Sequence, residues 1–534
     1  MAKRMQGSIR RFASDESGAV AGIYAVALIG LIAIGGVGFD YARMAGMDSE
    51  LQNAADQAAL AAATQLDGQN EACSRADEAA IGLLTNITLL SNDGSGNLVT
   101  VNAGEAAATG SDQCGDRTYI AFYSAYDNPG SFTVSGSDET SKIVKVTVDT
   151  RTARYAFTPI VGAIFSTMSA RAVASLGSSV CNTPPVMICN PAESTDPNFD
   201  GLYKGKGVRL VSVGGGGGGW VPGNFGYLRT GNGNGANALR AALGWNTPPG
   251  ECIETTGVDT KPGANTSVTD AINTRFDIYD QGQNCPSGGV CSPSVNAVKD
   301  LIKKNGTTGN ACSLGSQGWD LAPEADQYLP ASVTPLTSGS TMPKVMGYPR
   351  DICHAVADST GGHCTSPVGT GTWDRNAYFK VNYPSWGWGT WPANTGLPSN
   401  ASRYDVYRWE MDNAGNSVVG ETVLGSRYVT GNGNNARYSH GAAQCATPVT
   451  PGGLVADRRK ITVAVINCVA EGVNGSSTNV PVTKWIDAFL VEPSVNRPRT
   501  HQGDVYIEIV DVTKLGGGGE VGQAVRKDKP YLIE

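Results

Sequence analysis

Most acid–base and nucleophilic chemistry needs imidazole, activated hydroxyl or paired carboxylates, and this chain offers few starting points. It has only four histidines, at 354, 363, 440 and 501. No G-x-S-x-G elbow and no H-E-x-x-H pair occurs. Acidic pairs can always be found among 48 Asp and Glu, so they decide nothing. No catalytic residue and no cofactor is expected. The run Gly214 to Gly219, in VGGGGGGW, would need a following Lys-Ser/Thr to cradle phosphate, but Trp220-Val221-Pro222 follows. It reads as a flexible loop, as does Gly516 to Gly519.

Three patterns could hold a ligand. Asp196, Asn198, Asp200 and Gly201 form D-x-N-x-D-G, the first half of a calcium loop. The closing carboxylate belongs at position 207, which is Gly, so an Asx turn suits the pattern better than a complete site. Cys353-His354 and His363-Cys364 can be written as a Cys₂His₂ zinc set. Their spacing departs from the usual C-x₂-C plus H-x₃₋₅-H, and in an oxidising compartment a Cys353–Cys364 disulfide is favoured. Trp386, Trp388 and Trp391 in SWGWGTW serve either as exposed anchors for a sugar or protein, or as plugs on the domain core.

The elements that position these residues begin with an apolar run bounded by Gly18 and Phe39, GAVAGIYAVALIGLIAIGGVGF, which carries no charge. As a helix it is about 33 Å long, enough for one bilayer crossing. It is longer than the apolar core of a cleaved signal, so an uncleaved anchor is expected. Lys3, Arg4, Arg10 and Arg11 precede it, and no basic cluster follows. That bias puts the N-terminus in the cytoplasm and the bulk of the chain outside. All twelve cysteines (73, 114, 181, 189, 252, 285, 291, 312, 353, 364, 445, 468) follow the run, which suits a bacterial periplasm. Short spacing points to Cys181–Cys189, Cys285–Cys291 and Cys353–Cys364 as local pairs. The acidic balance, 48 against 40, provides no basic field for nucleic acid.

Past the run the helix continues to residue 66. Met44, Met47, Leu51, Ala54, Ala58 and Ala61 form a stripe that packs either on its own domain or, through helix-mediated association, on a partner. Residues 77–87 and 157–165 read as short helices, the latter as core. Strands are expected at 97–102, 118–123, 142–150 and 168–176. Beyond 181, with long irregular connections stapled by disulfides, strands are expected at 208–213, 460–467, 483–491 and 504–512, and helices at 236–243 and 294–303. The fold class is α+β.

The run from Ser17-Gly18 through FDYARMAGMDSELQNAADQAALAAATQL resembles the TadE/TadG-type proteins of the tight-adherence (Flp) pilus system. The resemblance rests on Asp40-Tyr41 just beyond the membrane helix and on Leu51, Gln52 and Asp56 in an L-Q-x-A-x-D-x-A-A-L-A-A-A helix. It extends, less specifically, through residue 180 and into later segments such as RRKITVAVINCVAEG. It implies a minor inner-membrane component that assembles or secretes a pilus for adherence and biofilm formation, with pilus components or pilin as partners. Pseudopilin relatives carry Glu five residues after the processed Gly; Ile23 stands there, so no cleavage after Gly18 is expected. No D-x-S-x-S metal motif of an A-type adhesion domain occurs.

The expected layout is a cytoplasmic tail 1–16, a membrane and stalk helix 17–66, a small α+β module 67–180, and a β-rich, disulfide-stapled exterior domain 181–534. The leading reading is a non-enzymatic structural component of Flp pilus assembly. The alternative is an anchored adhesin or glycan-binding module using the tryptophan loop.

Overall fold

The computed structural model describes residues 19–67, 70–82, 87–101, 114–128, 131–138, 140–157, 165–181, 184–212, 220–229, 235–249, 253–254, 257–261, 268–280, 285–305, 312–356, 364, 366–452, 455–497, 503–513 and 525–533. The tail 1–16, Gly18, both glycine runs and His363 lie outside them. Two compact units emerge: residues 1–177 with 528–534, and residues 178–527. The class is α+β: a long apolar N-terminal helix, then β-rich structure with several disulfides.

In the first unit, α1 (Ala19–Ala63) runs unbroken for 45 residues. It has no proline, and alanine and leucine favour the helix throughout. It is the one helix among the described residues long and apolar enough to cross a membrane. Its halves face different surroundings. Ile23, Leu31 and Ile34 are exposed, a surface that suits lipid, whereas Met47, Leu51, Ala54, Ala55, Ala58 and Ala62 are fully buried.

The buried half lies on a sheet of β1 (Ile120–Asn128), β2 (Ser131–Val134), β3 (Ile143–Thr147) and β6 (Arg171–Cys181), ordered β2-β1-β3-β6 and antiparallel. Strand alternation sends Phe122, Val144, Val146 and Ala172 toward α1. Tyr123, Ile143 and Val173 point to the other face, where Ile533 packs. β4 (Arg151–Arg154) and β5 (Phe165–Met168) form a separate hairpin, and α2 (Ala72–Gly82) is stapled by Cys73–Cys114. The alanine stripe is therefore core of its own unit, because small side chains let the helix backbone approach the sheet. Met47, Leu51, Ala54 and Ala58 thus take the first of the stripe's two expected packings, on their own domain, while Met44 and Ala61 are half-buried.

Other expectations shift here. The first short helix is Ala72–Gly82, starting five residues before the expected 77; residues 83–86 lie outside the described residues, and Ile87 forms an isolated bridge with Leu98. Of the strand expected at 97–102, residues 97–101 form no strand, since among the described residues that stretch has no ladder partner beyond the bridge, and Asn102 lies outside the described residues. The ends of 157–165 are exposed rather than core, Phe165 at the start of β5, and its middle lies outside the described residues.

In the second unit, six strands close into a barrel: β7 (Val186–Cys189), β8 (Gly207–Ser212), β9 (Asn224–Leu228), β10 (Lys460–Ile466), β11 (Lys484–Leu490) and β12 (Val505–Val512). The order is β9-β7-β10-β11-β12-β8, and β8 pairs back to β9. Closure leaves no open edge. One face of all six strands converges in a cluster containing Ile188, Leu210, Phe225, Val463, Ala488 and Ile507. α3 (Ala236–Gly244) adds Leu239 and Leu243 to it. α4 (Arg375–Asn382) and α5 (Arg403–Asp412) build an aromatic cluster that Phe489 and Tyr506 join.

Residues 294–303 are not a helix. They form an irregular segment ending in a strand at Leu301–Lys304, because Asn296 is drawn into a buried polar network with Tyr348 and Glu410.

Candidate functional site

The best-defined arrangement of polar side chains on the first unit surrounds α1 where its apolar half ends. Gly36, Asp40, Arg43, Met47 and Glu50 recur every three or four residues and so share one helix face. Asp40, only 2% exposed, accepts backbone N–H groups from Ala156 (3.0 Å) and Phe157 (2.9 Å). Tyr41, one position on and turned to another face, is 69% exposed.

One turn later Arg43 Nε donates to the Leu90 carbonyl (3.0 Å) and Nη1 to that of Arg154 (3.3 Å). Tyr155 Oη donates to Met44 Sδ (2.8 Å). The Glu50 carboxylate accepts the Thr88 hydroxyl (2.6 Å) and the Leu89 N–H (3.1 Å). Gln52 donates to Asp56 (2.8 Å) and to the Arg171 carbonyl (3.1 Å), while Leu51 is fully buried. Two glycines permit the close approach: a β-carbon on Gly36 would collide with Phe157, and one on Gly46 with Leu90.

The segments gripped by α1 are themselves braced. Arg151 and Asp93 pair bidentately (2.9 and 3.1 Å), and Asp93 also accepts the Thr152 N–H (3.1 Å). The Arg151 guanidinium holds the Asp93 carboxyl well below the usual range. Asn92 bonds both the N–H and the carbonyl of Arg154. The result is a clamp that fixes the module to the helix by charge-assisted hydrogen bonds to backbone. Its chemistry is positional.

The ligand patterns fare differently. Asp196 closes a turn, accepting the N–H groups of Asp200 (3.0 Å) and Gly201 (2.8 Å) and the Tyr203 hydroxyl (2.8 Å), and Asp200 pairs with Lys484. Both Asp196 oxygens thus serve the protein, but they bond N–H groups four and five residues on, a wider turn than the expected Asx turn, whose side chain bonds the N–H two residues on. Cys353 is bonded to Cys364. His354 Nδ1 faces the Tyr506 hydroxyl (2.9 Å) and Nε2 the Ser366 carbonyl (3.1 Å). With both nitrogens engaged within the protein and burial pushing its pKa down to about 4, His354 is a neutral core residue.

The tryptophans are not exposed anchors. Trp386 stacks on Tyr383 (4.4 Å) and Trp391 on Phe379 (4.7 Å), both buried; Trp386 Nε1 donates to the Val418 carbonyl and Trp391 Nε1 to Asn376. Trp388 packs partly buried against the same cluster. Large aromatic area is worth more inside this core than the irregular loop sequence suggests.

Converging carboxylates do exist, but the protein saturates them. Glu410 accepts from Tyr378 and Tyr383 (2.8 Å each), Asn296 (2.8 Å) and Tyr348. Burial pushes its carboxyl up against those bonds. Arg403 bridges Asp351 and Glu508, all fully buried.

Cys285–Cys291 is a bonded pair, but Cys189 bonds Cys468, which corrects Cys181–Cys189. The parallel pairing of β7 with β10 sets Cys189 opposite Ile466, two residues from Cys468, and so decides the partner. The side chain of Cys181 lies outside the described residues. Cys312–Cys445 is a further bridge that spacing did not reveal.

With this geometry in place, residues 18–65 match the family model described as putative Flp pilus-assembly TadE/G-like. The match covers α1 and every residue on which the resemblance chiefly rested; it does not extend over the rest of the module or the barrel unit. No curated protein and no solved structure matches the chain.

Proposed function

We propose that this protein is a non-enzymatic, membrane-anchored structural component of Flp pilus assembly or secretion. The observation that carries the reading is the family match over 18–65, which coincides with the membrane helix and its clamp. In this reading the tail 1–16 is cytoplasmic, 18–39 crosses the inner membrane, and both folded units work in the periplasm. Flanking charge supports that orientation, and the cysteines confined to one side of the span support that compartment.

The clamp suits such a part. A module gripped at Asp40, Arg43 and Glu50 keeps a set position on the membrane helix, so a partner in the assembly machinery meets a fixed surface. The exterior unit then contacts pilin, another component or the envelope in support of surface adherence. Deleting the gene and imaging pili tests the proposal: loss of pili, restored by the intact chain and not by one lacking residues 18–65, is expected. Normal pili with lost attachment would favour an anchored adhesin instead. That alternative loses its binding loop once Trp386 and Trp391 are core.

A further inference from the structure

We infer that the base of the first unit enters the lipid interface beside α1, through Phe157 and Phe165 at the mouth of the β4–β5 hairpin. The inference rests on α1 crossing a bilayer, not on the pilus reading.

Depth is set by α1 itself. The Phe157 ring meets Phe39 edge-on at 5.6 Å, and its β-carbon occupies the space a side chain on Gly36 would need. Gly36 and Phe39 belong to the uncharged run 18–39, and Gly36 lies about 4.5 Å inside its end. Phe157 therefore stands alongside the last turn of the span. The Asp40 carboxylate holds its backbone there.

Phe157 is nevertheless 41% exposed within the protein, and Phe165 is 60% exposed. Strand register places Phe165 opposite Arg154, whose carbonyl accepts from Arg43, one turn beyond Phe39. Two open phenyl rings, Phe157 alongside the last turn of the span and Phe165 beside the strand residue that Arg43 reaches, with Arg43 one turn beyond Phe39, match the apolar-to-basic order of a membrane interface. In water the same rings would form an unfavourable apolar patch next to the exposed run of α1. The occupant that fits both is the bilayer.

The test uses the full chain in vesicles of phosphatidylethanolamine and phosphatidylglycerol, with the photoreactive residue p-benzoylphenylalanine replacing Leu31, Phe157, Phe165 or Val134 singly. Val134, 50% exposed, lies on β2, which leads into the turn whose Asp138 accepts the Cys73 N–H beyond the far end of α1. Lipid adducts are expected at 31, 157 and 165 and not at 134. Adducts at 31 with none at 157 and 165 would overturn the inference and leave the span intact. No adduct at 31 would overturn both. Position 165 packs less than 157, so it reports even if replacement of Phe157 disturbs the contact with Gly36.

Discussion

The Phe157 N–H donates to the Asp40 carboxylate across 2.9 Å, joining residues 117 positions apart at the point where α1 leaves its apolar run. A carboxylate this buried is stable only because it is hydrogen-bonded, and among the described residues the two N–H groups it serves lie outside every helix and strand.

Asp40→Ala should therefore destabilise the first unit by about 1.5–3 kcal/mol, the range for hydrogen bonds to a charged group. Asp40→Asn keeps one acceptor and should cost less, and Tyr41→Ala should cost almost nothing. Thermal unfolding in detergent, with limited proteolysis near Tyr155 as a local readout, checks the order. Equal effects for Asp40→Ala and Tyr41→Ala would show that the clamp does not hold the module.

Ala54→Glu and Ala58→Glu place a charge between α1 and its sheet, with no partner to receive it. Several kcal/mol of destabilisation are expected, enough to expose the chain to proteolysis. Asn53→Glu and Gln57→Glu, on the exposed face, should leave the fold intact. If the buried variants fold normally and lose only contacts to another chain, the stripe is an interface after all. Protease resistance and crosslinking in membranes separate the outcomes.

Trp386→Ala and Trp391→Ala should each cost about 3–5 kcal/mol, as for other large aromatic truncations in cores. Trp388→Ala, partly exposed, should cost less. Unfolding midpoints of the exterior unit measure this. Loss of glycan or protein binding at unchanged stability would restore the loop as a binding site.

Acid should loosen the barrel unit through two histidines. Burial holds His354 and His440 at about 4, below their ordinary value near 6.5. Between those values the unfolded chain binds protons that the folded chain refuses, so stability rises with pH there. It is complete above about 6.5 and falls as pH drops toward 4, by up to about 3 kcal/mol per histidine. His354→Gln and His440→Gln should each flatten the slope of stability against pH in that window; an unchanged slope in both would exclude this origin.

How much of this could be read from the sequence depends on how far away each residue's partner lies. α1 and the strands 460–466, 484–490 and 505–512 were legible, because an uncharged run and apolar alternation are local signals. The segment 294–303 misled, because SPSVNAVKDLIKK has helical spacing while Asn296 is claimed by Glu410, 114 positions on. Asp40 was visible only through family resemblance, since what it grips is backbone at 156 and 157 and backbone leaves no residue signature. The tryptophans' burial depended on Phe379 of α4 and Tyr383 just past its end, which look like any local residues until they stack. Likewise nothing near Cys189 announces Cys468.

That last bridge gives the clearest comparison among the staples. Cys189–Cys468 closes a loop with a sequence separation of 279, whereas Cys285–Cys291 spans 6. If a bridge acts by restricting the unfolded chain, the long loop stabilises by about 5–6 kcal/mol and the short one by about 2. The long bridge also joins β7 to the turn after β10, two strands that pair in parallel and have no local turn to bring them together. Replacing both cysteines of each pair with Ala, so that no stray thiol remains, should lower the barrel unit's unfolding midpoint far more for 189/468 than for 285/291. Denaturant unfolding of the two variants against the parent supplies the ranking. An equal or reversed order would mean that the barrel's own hydrogen-bonded closure, rather than the disulfide, sets the entropy of that connection.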